Sequence, residues 1–194
     1  MAKLTVILFF LLTSFHLSAS EPIGSVVFNG RVVNLFGDGS WQYADSEPRD
    51  CDAIKYGVHF CNPGWKAVTP VDPATAMYQI DERHYVMFIM EGLGTSDGVT
   101  PELLKQVALE YAAQASNVPV TNIPVHFSES VLLDGKQLLS VAYTGKISQM
   151  TLTFVNNMLI GDKFNVQAVV YGVGDLTPEL EAHNTRLQNR LRFD

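Results

Sequence analysis

The sequence predicts an α+β protein, a mainly antiparallel sheet with two long helices packed on it. Three observations lead there. Strand-like runs are separated by short turn signals at Asn29-Gly30, Asp134-Gly135 and Gly161-Asp162, and strands joined by tight turns are antiparallel neighbours. Only two stretches, opening at Thr100 and Thr177, carry the three-and-four apolar spacing of a helix. These two helices follow groups of strands instead of alternating with each one, so the chain does not read as a series of βαβ units.

Residues 1–20 read as a signal peptide. Lys3 supplies the positive start, LTVILFFLL the apolar run, and SAS the small residues before Glu21. Cleavage after Ser20 and a periplasmic or secreted location are expected. The apolar run is too short to span a bilayer comfortably, no cysteine marks a lipid anchor at the cleavage point, and no later segment is apolar enough to cross a membrane. The full chain has 13 Lys+Arg against 20 Asp+Glu, a net charge of −7. Lys3 is the only charge lost with the signal, so the mature chain is slightly more acidic. With no Lys/Arg cluster, nucleic acid and anionic membrane are poor partners, because both demand neutralising positive charge.

The mature N-terminus, 21–50, reads as a small β-meander and linker. SVVF and RVVNLF flank Asn29-Gly30, a type I′ hairpin signal. GDG at 37–39 supplies the next turn and SWQYA returns as a third strand. The polar DSEPRD then leads to the main body, 51–194. In the body AIKYGVHF is expected as one strand, CNPGW as a turn that places Trp65, and TAMYQI and HYVMFIM as strands across the charged turn DERH.

The first helix starts after Thr100, a good N-cap followed by Pro101 and Glu102. Leu104, Val107, Ala108, Tyr111, Ala112 and Ala115 form its apolar stripe, and Asn117 and Pro119 end it. Four strand-like runs come next: NIPVHF, SVLL-DG-KQLLSVAY, MTLTFVNNMLI and KFNVQAVVYGV. The last helix is expected over LTPELEAHNTRLQNRLRF, with Leu180, His183, Leu187 and Leu191 on its apolar side. Its early acids and late arginines, Arg186, Arg190 and Arg192, suit the helix dipole. The repeated TPEL is one helix-start signal used twice.

Cys51 and Cys61 are the only cysteines. In an exported chain they are expected to form one disulfide, contributing on the order of 2–3 kcal/mol if unstrained. A zinc site built on His59 and Cys61 would need four ligands, and no spaced partner set accompanies them.

The order of elements resembles the Mog1/PsbP-like α/β/α sandwich, including the DcrB-like bacterial envelope proteins. The resemblance covers roughly residues 54–194, from VHFCNPGW through TPELLKQVALEYA and LLDGKQLLSVAYTG to the closing helix. It implies a binding or assembly scaffold of the bacterial envelope, acting through a protein partner, and it transfers no functional residue. NGRVVNLFGDGSWQY is similar to short DG-x-W-x-Y hairpins of small secreted bacterial proteins.

Gly94-Thr95-Ser96-Asp97-Gly98 spells G-x-S-x-G after a strand, the local context of a hydrolase nucleophile elbow. An elbow needs the helix to begin at the serine, so that its first N–H groups build the oxyanion hole. Here the cap is Thr100, four residues late. Asp175 and His183 do follow in Ser…Asp…His order, which keeps a small secreted serine hydrolase as the alternative. Asp81, Glu82 and His84 in DERH lack a second spaced group to complete a metal site, and a charged turn accounts for them. No P-loop lysine, paired carboxylates, cofactor motif or metal set stands out. Phe36, Trp41 and Tyr43 cluster on the meander as candidate partner-binding aromatics. The leading expectation is therefore an exported, non-catalytic protein that binds a protein partner and carries no cofactor. A small-molecule binding module would require a roomy apolar pocket between sheet and helices.

Overall fold

In the computed structural model, which describes residues 23–28, 31–43 and 51–194, the chain divides into two compact units, residues 1–46 and 47–194. The expected signal peptide, the Asn29-Gly30 turn and the DSEPRD linker lie outside the described residues. The first unit contains β1 (Gly24–Phe28), β2 (Arg31–Leu35) and β3 (Trp41–Tyr43) in one antiparallel sheet of order β1-β2-β3. Gly39, at φ +82°, takes the left-handed conformation the turn into β3 requires. Asp38 fixes that turn by accepting from the Ser40 N–H and hydroxyl.

The second unit is built on seven strands: β6 (Lys66–Val68), β7 (Ala76–Gln79), β8 (His84–Glu91), β9 (Val125–Leu133), β10 (Lys136–Ile147), β11 (Met150–Ile160) and β12 (Asn165–Val173). Their order is β6-β7-β8-β12-β11-β10-β9, and every pairing is antiparallel. Two helices, α1 (Pro101–Ser116) and α2 (Pro178–Gln188), are capped alike: Thr100 accepts from Leu103 N–H and Thr177 from Leu180 N–H. A small sheet of β4 (Asp52–Lys55), β5 (Val58–Phe60) and β13 (Leu191–Phe193) has β5 at its centre.

Successive side chains of a strand point to opposite faces, and here each face has its own core. Ala142, Val155, Ala168 and Val170 pack with Leu180 and Leu187 of α2 and with Val58, Phe60 and Leu191 of the small sheet. Their neighbours Val141, Tyr143, Phe154 and Val169 pack with Ala112 and Ala113 of α1. The two helices therefore cover opposite faces. Asn157 ties α2 down through Asn184 and Gln188, and also accepts from Ser140. No helix among the described residues is long and apolar enough to cross a membrane.

Four expectations are corrected. AIKYGVHF is a hairpin, not one strand: Tyr56 and Gly57 have φ of 53° and 70°, a pair of positive values that reverses the chain between β4 and β5. The last helix stops at Gln188, and Leu191–Phe193 forms β13 against β5. NIPVHF and SVLL merge into the single strand β9. On α1, Tyr111 and Ala115 of the expected core stripe are exposed, whereas Ala113 is buried.

Candidate functional site

The exposed part of the α1 stripe is the wall of a cavity. α1 lies over β10 and β11, drawn close where Gly145 faces Ala112: a Cβ on that glycine would come within 3.3 Å of the Ala112 Cβ. Toward β12 and β8 the same face of the sheet has less cover. Along β8 burial alternates, with His84, Val86, Phe88 and Met90 buried on the α2 side and Tyr85, Met87 and Ile89 only half-buried on the α1 side. A cavity of about 700 Å³ opens there, lined by Leu104, Val107, Ala108 and Tyr111 of α1 and by Met87, Ile89, Phe154 and Val169 of the sheet. That volume lies within the roughly 300–1,000 Å³ typical of small-molecule sites.

The polar lining is sparse and specific. Asn156, Asn165, Gln167 and Tyr143 also line the cavity, together with the charged residues Asp72, Glu91 and Lys146. Asn156 donates from Nδ2 to Gln167 Oε1 at 2.7 Å, and Asn165 donates from Nδ2 to Glu91 Oε2 and the Leu93 carbonyl. The two amide oxygens, Asn156 Oδ1 and Asn165 Oδ1, are buried and have no hydrogen-bond partner. Burial pushes the Tyr143 hydroxyl up to about 12, against a downward pull from the Asn156 amide beside it. The phenol therefore stays neutral at any physiological pH. The aromatic rings continue away from it as a stacked series, Tyr143–Phe154–Tyr171–Tyr85, with centroids 5.3 to 5.7 Å apart.

Sequence reading passed over Asn156 and Asn165. Their signal was present: Asn156 lies inside the strand β11 and Asn165 opens the strand β12, both among apolar residues, where a buried amide calls for a reason.

The residues singled out from the sequence are dispersed. Ser96 sits in a short 3₁₀ turn, and its hydroxyl donates to the Asp162 carbonyl at 2.8 Å. His183 lies on α2 beside the β7–β8 turn, its ring centroid 4.8 Å from that of His84. Desolvation, with the His84 ring adding to it, holds the His183 imidazole below its ordinary value. Asp175 is exposed before α2. Among the described residues no hydrogen bond joins Ser96, His183 and Asp175 to one another. Gly94 does have a steric reason: a Cβ there would meet the Gly161–Asp162 backbone at 2.3–2.5 Å. Cys51 and Cys61 form a disulfide. In the first unit Trp41 meets Tyr43 edge-on with centroids 5.6 Å apart, and Trp41 is 60% exposed, while Phe36 and Tyr43 are half-buried.

Among solved structures the chain is similar to the solution structure of cyanobacterial PsbP (CyanoP) from Synechocystis sp. PCC 6803, with a TM-score of 0.55 at 10% identity, over 78% of this chain and 96% of that one. The fold is PsbP-like. LpqN of Mycobacterium tuberculosis, a protein involved in cell envelope biogenesis, superposes with a TM-score of 0.47 at 13% identity over 76% of this chain and 86% of its own. That looser match carries no argument. No family model and no curated protein sequence matches the chain. The resemblance expected from the element order thus holds for the fold, and at 10% identity the PsbP-like body inherits no site residue from it.

Proposed function

We propose that this is an exported, non-catalytic binding protein whose cavity under α1 takes a small, largely apolar ligand bearing a hydroxyl or amide N–H donor. The observation that carries this reading is the apolar cavity itself, with the amide residues Asn156, Asn165 and Gln167 in its lining. The apolar walls supply binding energy and the amides fix orientation.

Export belongs to the same reading. Residues 1–20 serve as the signal, 21–50 as the meander and linker, and 51–194 as a Mog1/PsbP-like α/β/α sandwich. The disulfide fits an oxidising compartment. Intact-mass analysis of the exported protein should find Glu21 at its N-terminus. A fluorophosphonate probe should leave the protein unlabelled. Labelling that disappears in Ser96→Ala would instead support the hydrolase.

The cavity is tested by titrating the mature protein with N-phenyl-1-naphthylamine, an apolar fluorophore with one N–H donor. One saturable site is expected. Ala108→Phe, which fills the cavity, should weaken it at least tenfold, and Asn156→Leu by a smaller factor. Absence of saturation, or indifference to Ala108→Phe, would overturn the assignment.

A second reading, a protein partner, rests on the first unit, where Ile23, Val26, Val32, Leu35 and Trp41 are all exposed. Exposed aromatic and aliphatic anchors of this kind carry interface energy. Trp41→Ala would abolish crosslinking to such a partner and leave fluorophore binding intact.

A further inference from the structure

On the opposite face of the sheet from the cavity, α2 brings Glu179 and His183 to the β7–β8 turn. They stand four residues apart, on one side of the helix. The turn contributes Asp81 and His84. Asp81 Oδ1 accepts from the Arg83 and His84 N–H groups at 2.8 and 3.0 Å, which fixes its carboxylate. Oδ2 then lies 2.9 Å from His84 Nδ1 and 3.5 Å from His183 Nε2. One donor atom from each of Asp81, His84, Glu179 and His183 falls within 4.8 Å of all the others.

We propose that these four side chains form a divalent transition-metal site of the zinc class, clamping α2 to the β7–β8 turn. The second spaced group that DERH lacks in the sequence is supplied by the helix, 95 residues or more downstream. Hydrogen bonding within the turn accounts for Asp81 and His84 alone. It leaves His183 Nε2 buried and without a hydrogen-bond partner, facing a carboxylate. A tetrahedral ion with bonds of about 2.0–2.1 Å holds its donors roughly 3.3–3.4 Å apart, so only modest side-chain movement completes the set. Two imidazoles with two carboxylates suit Zn²⁺, while Ca²⁺ and Mg²⁺ prefer oxygen alone.

The backbone behind the site is adapted to it. Gly172 pairs with His84 across β12 and β8, and a Cβ there would lie 2.6 Å from His84 Cδ2. Only glycine lets that ring lie flat against β12 with Nδ1 turned to Asp81.

The test uses the tag-free mature chain, stripped with chelator and titrated with Co²⁺ by visible absorption and with Zn²⁺ by calorimetry. One equivalent of each metal is expected, with the intense visible bands of tetrahedral Co²⁺ and a rise in the thermal midpoint on adding Zn²⁺. His183→Gln should weaken Zn²⁺ binding at least tenfold and abolish the midpoint rise. Glu179→Gln changes an exposed residue, so it tests the site even if His183→Gln fails to fold, and a severalfold loss is expected. His59→Gln, at the separate His59–Asp194 contact, should change nothing. No bound equivalent, wild-type affinity retained in Glu179→Gln and His183→Gln, or loss on His59→Gln would each overturn the site.

Discussion

Thr100 and Thr177 each accept one N–H at the start of a helix, at 3.1 and 3.2 Å. Thr100→Ala or Thr177→Ala should lower unfolding free energy by about 1 kcal/mol, read from the urea midpoint. These caps were legible because threonine, proline and glutamate act through the nearest backbone and need no distant partner. Tyr143 acts through its surroundings instead. Its hydroxyl is held at about 12 by burial, above the ordinary value near 10 for an exposed phenol. The folded state keeps the proton longer than the unfolded one. The stabilisation is complete below about pH 10 and drains away as pH rises towards 12, by on the order of 2–3 kcal/mol. Urea midpoints at about pH 9 and pH 11.5 should therefore diverge in the wild type and diverge less in Tyr143→Phe, where Tyr78 and Tyr171, also raised by burial, still contribute. Nothing local to LLSVAYTG marks that residue out, since its burial depends on where α1 crosses the sheet.

At the scale of elements, local signals decided what could be read. Asp134-Gly135 turned as expected, both residues at positive φ. Tyr56-Gly57 makes the same kind of turn, but its flanks, AIK and VHF, look like one continuous strand without the asparagine or aspartate that usually announces it. Leu187 and Leu191 are four apart, which fits one more helical turn as well as it fits a break. The break wins because Leu191–Phe193 finds β5, more than 130 residues upstream, and no local pattern encodes so distant a pairing. Asn157 shows what holds α2 where it is. Its side chain joins Ser140, Ala168, Asn184 and Gln188 in a buried set of hydrogen bonds. Asn157→Ala removes them together and strands buried groups, so a loss of about 3 kcal/mol is expected. Calorimetric unfolding would measure it, and a loss below about 1 kcal/mol would show that water replaces the amide.

For the whole molecule, fold class followed from turn chemistry and from having two helices among many strands, properties that survive errors at individual boundaries. The cavity did not follow. An apolar stripe on a helix predicts burial, yet it cannot say whether the helix sits centrally on a sheet or to one side. α1 sits towards β10, and Tyr111 and Ala115 are exposed as a result. The metal cluster was half visible, as Asp81 and His84 are neighbours in sequence while Glu179 and His183 join them only through the fold. Among the described residues, the hydrophobic clusters of the second unit draw on residues 54–193. Residues 47–194 expressed alone should consequently unfold in one cooperative transition, followed by circular dichroism. A broad, non-cooperative melt would show that this body needs the preceding unit.

The disulfide lies across the open end of a hairpin, joining the residue before β4 to the residue after β5. β5 is also held by β13, whereas among the described residues β4 pairs with β5 alone. A reductant therefore acts on one margin of the protein: it frees four residues to fray and uncovers the backbone of β5 on that side. Amide exchange at 52–55 would quicken while 84–91 stayed protected. An uncovered strand margin accepts a strand from another chain. Loss of this one bond would therefore turn a closed margin of the small sheet into an open one.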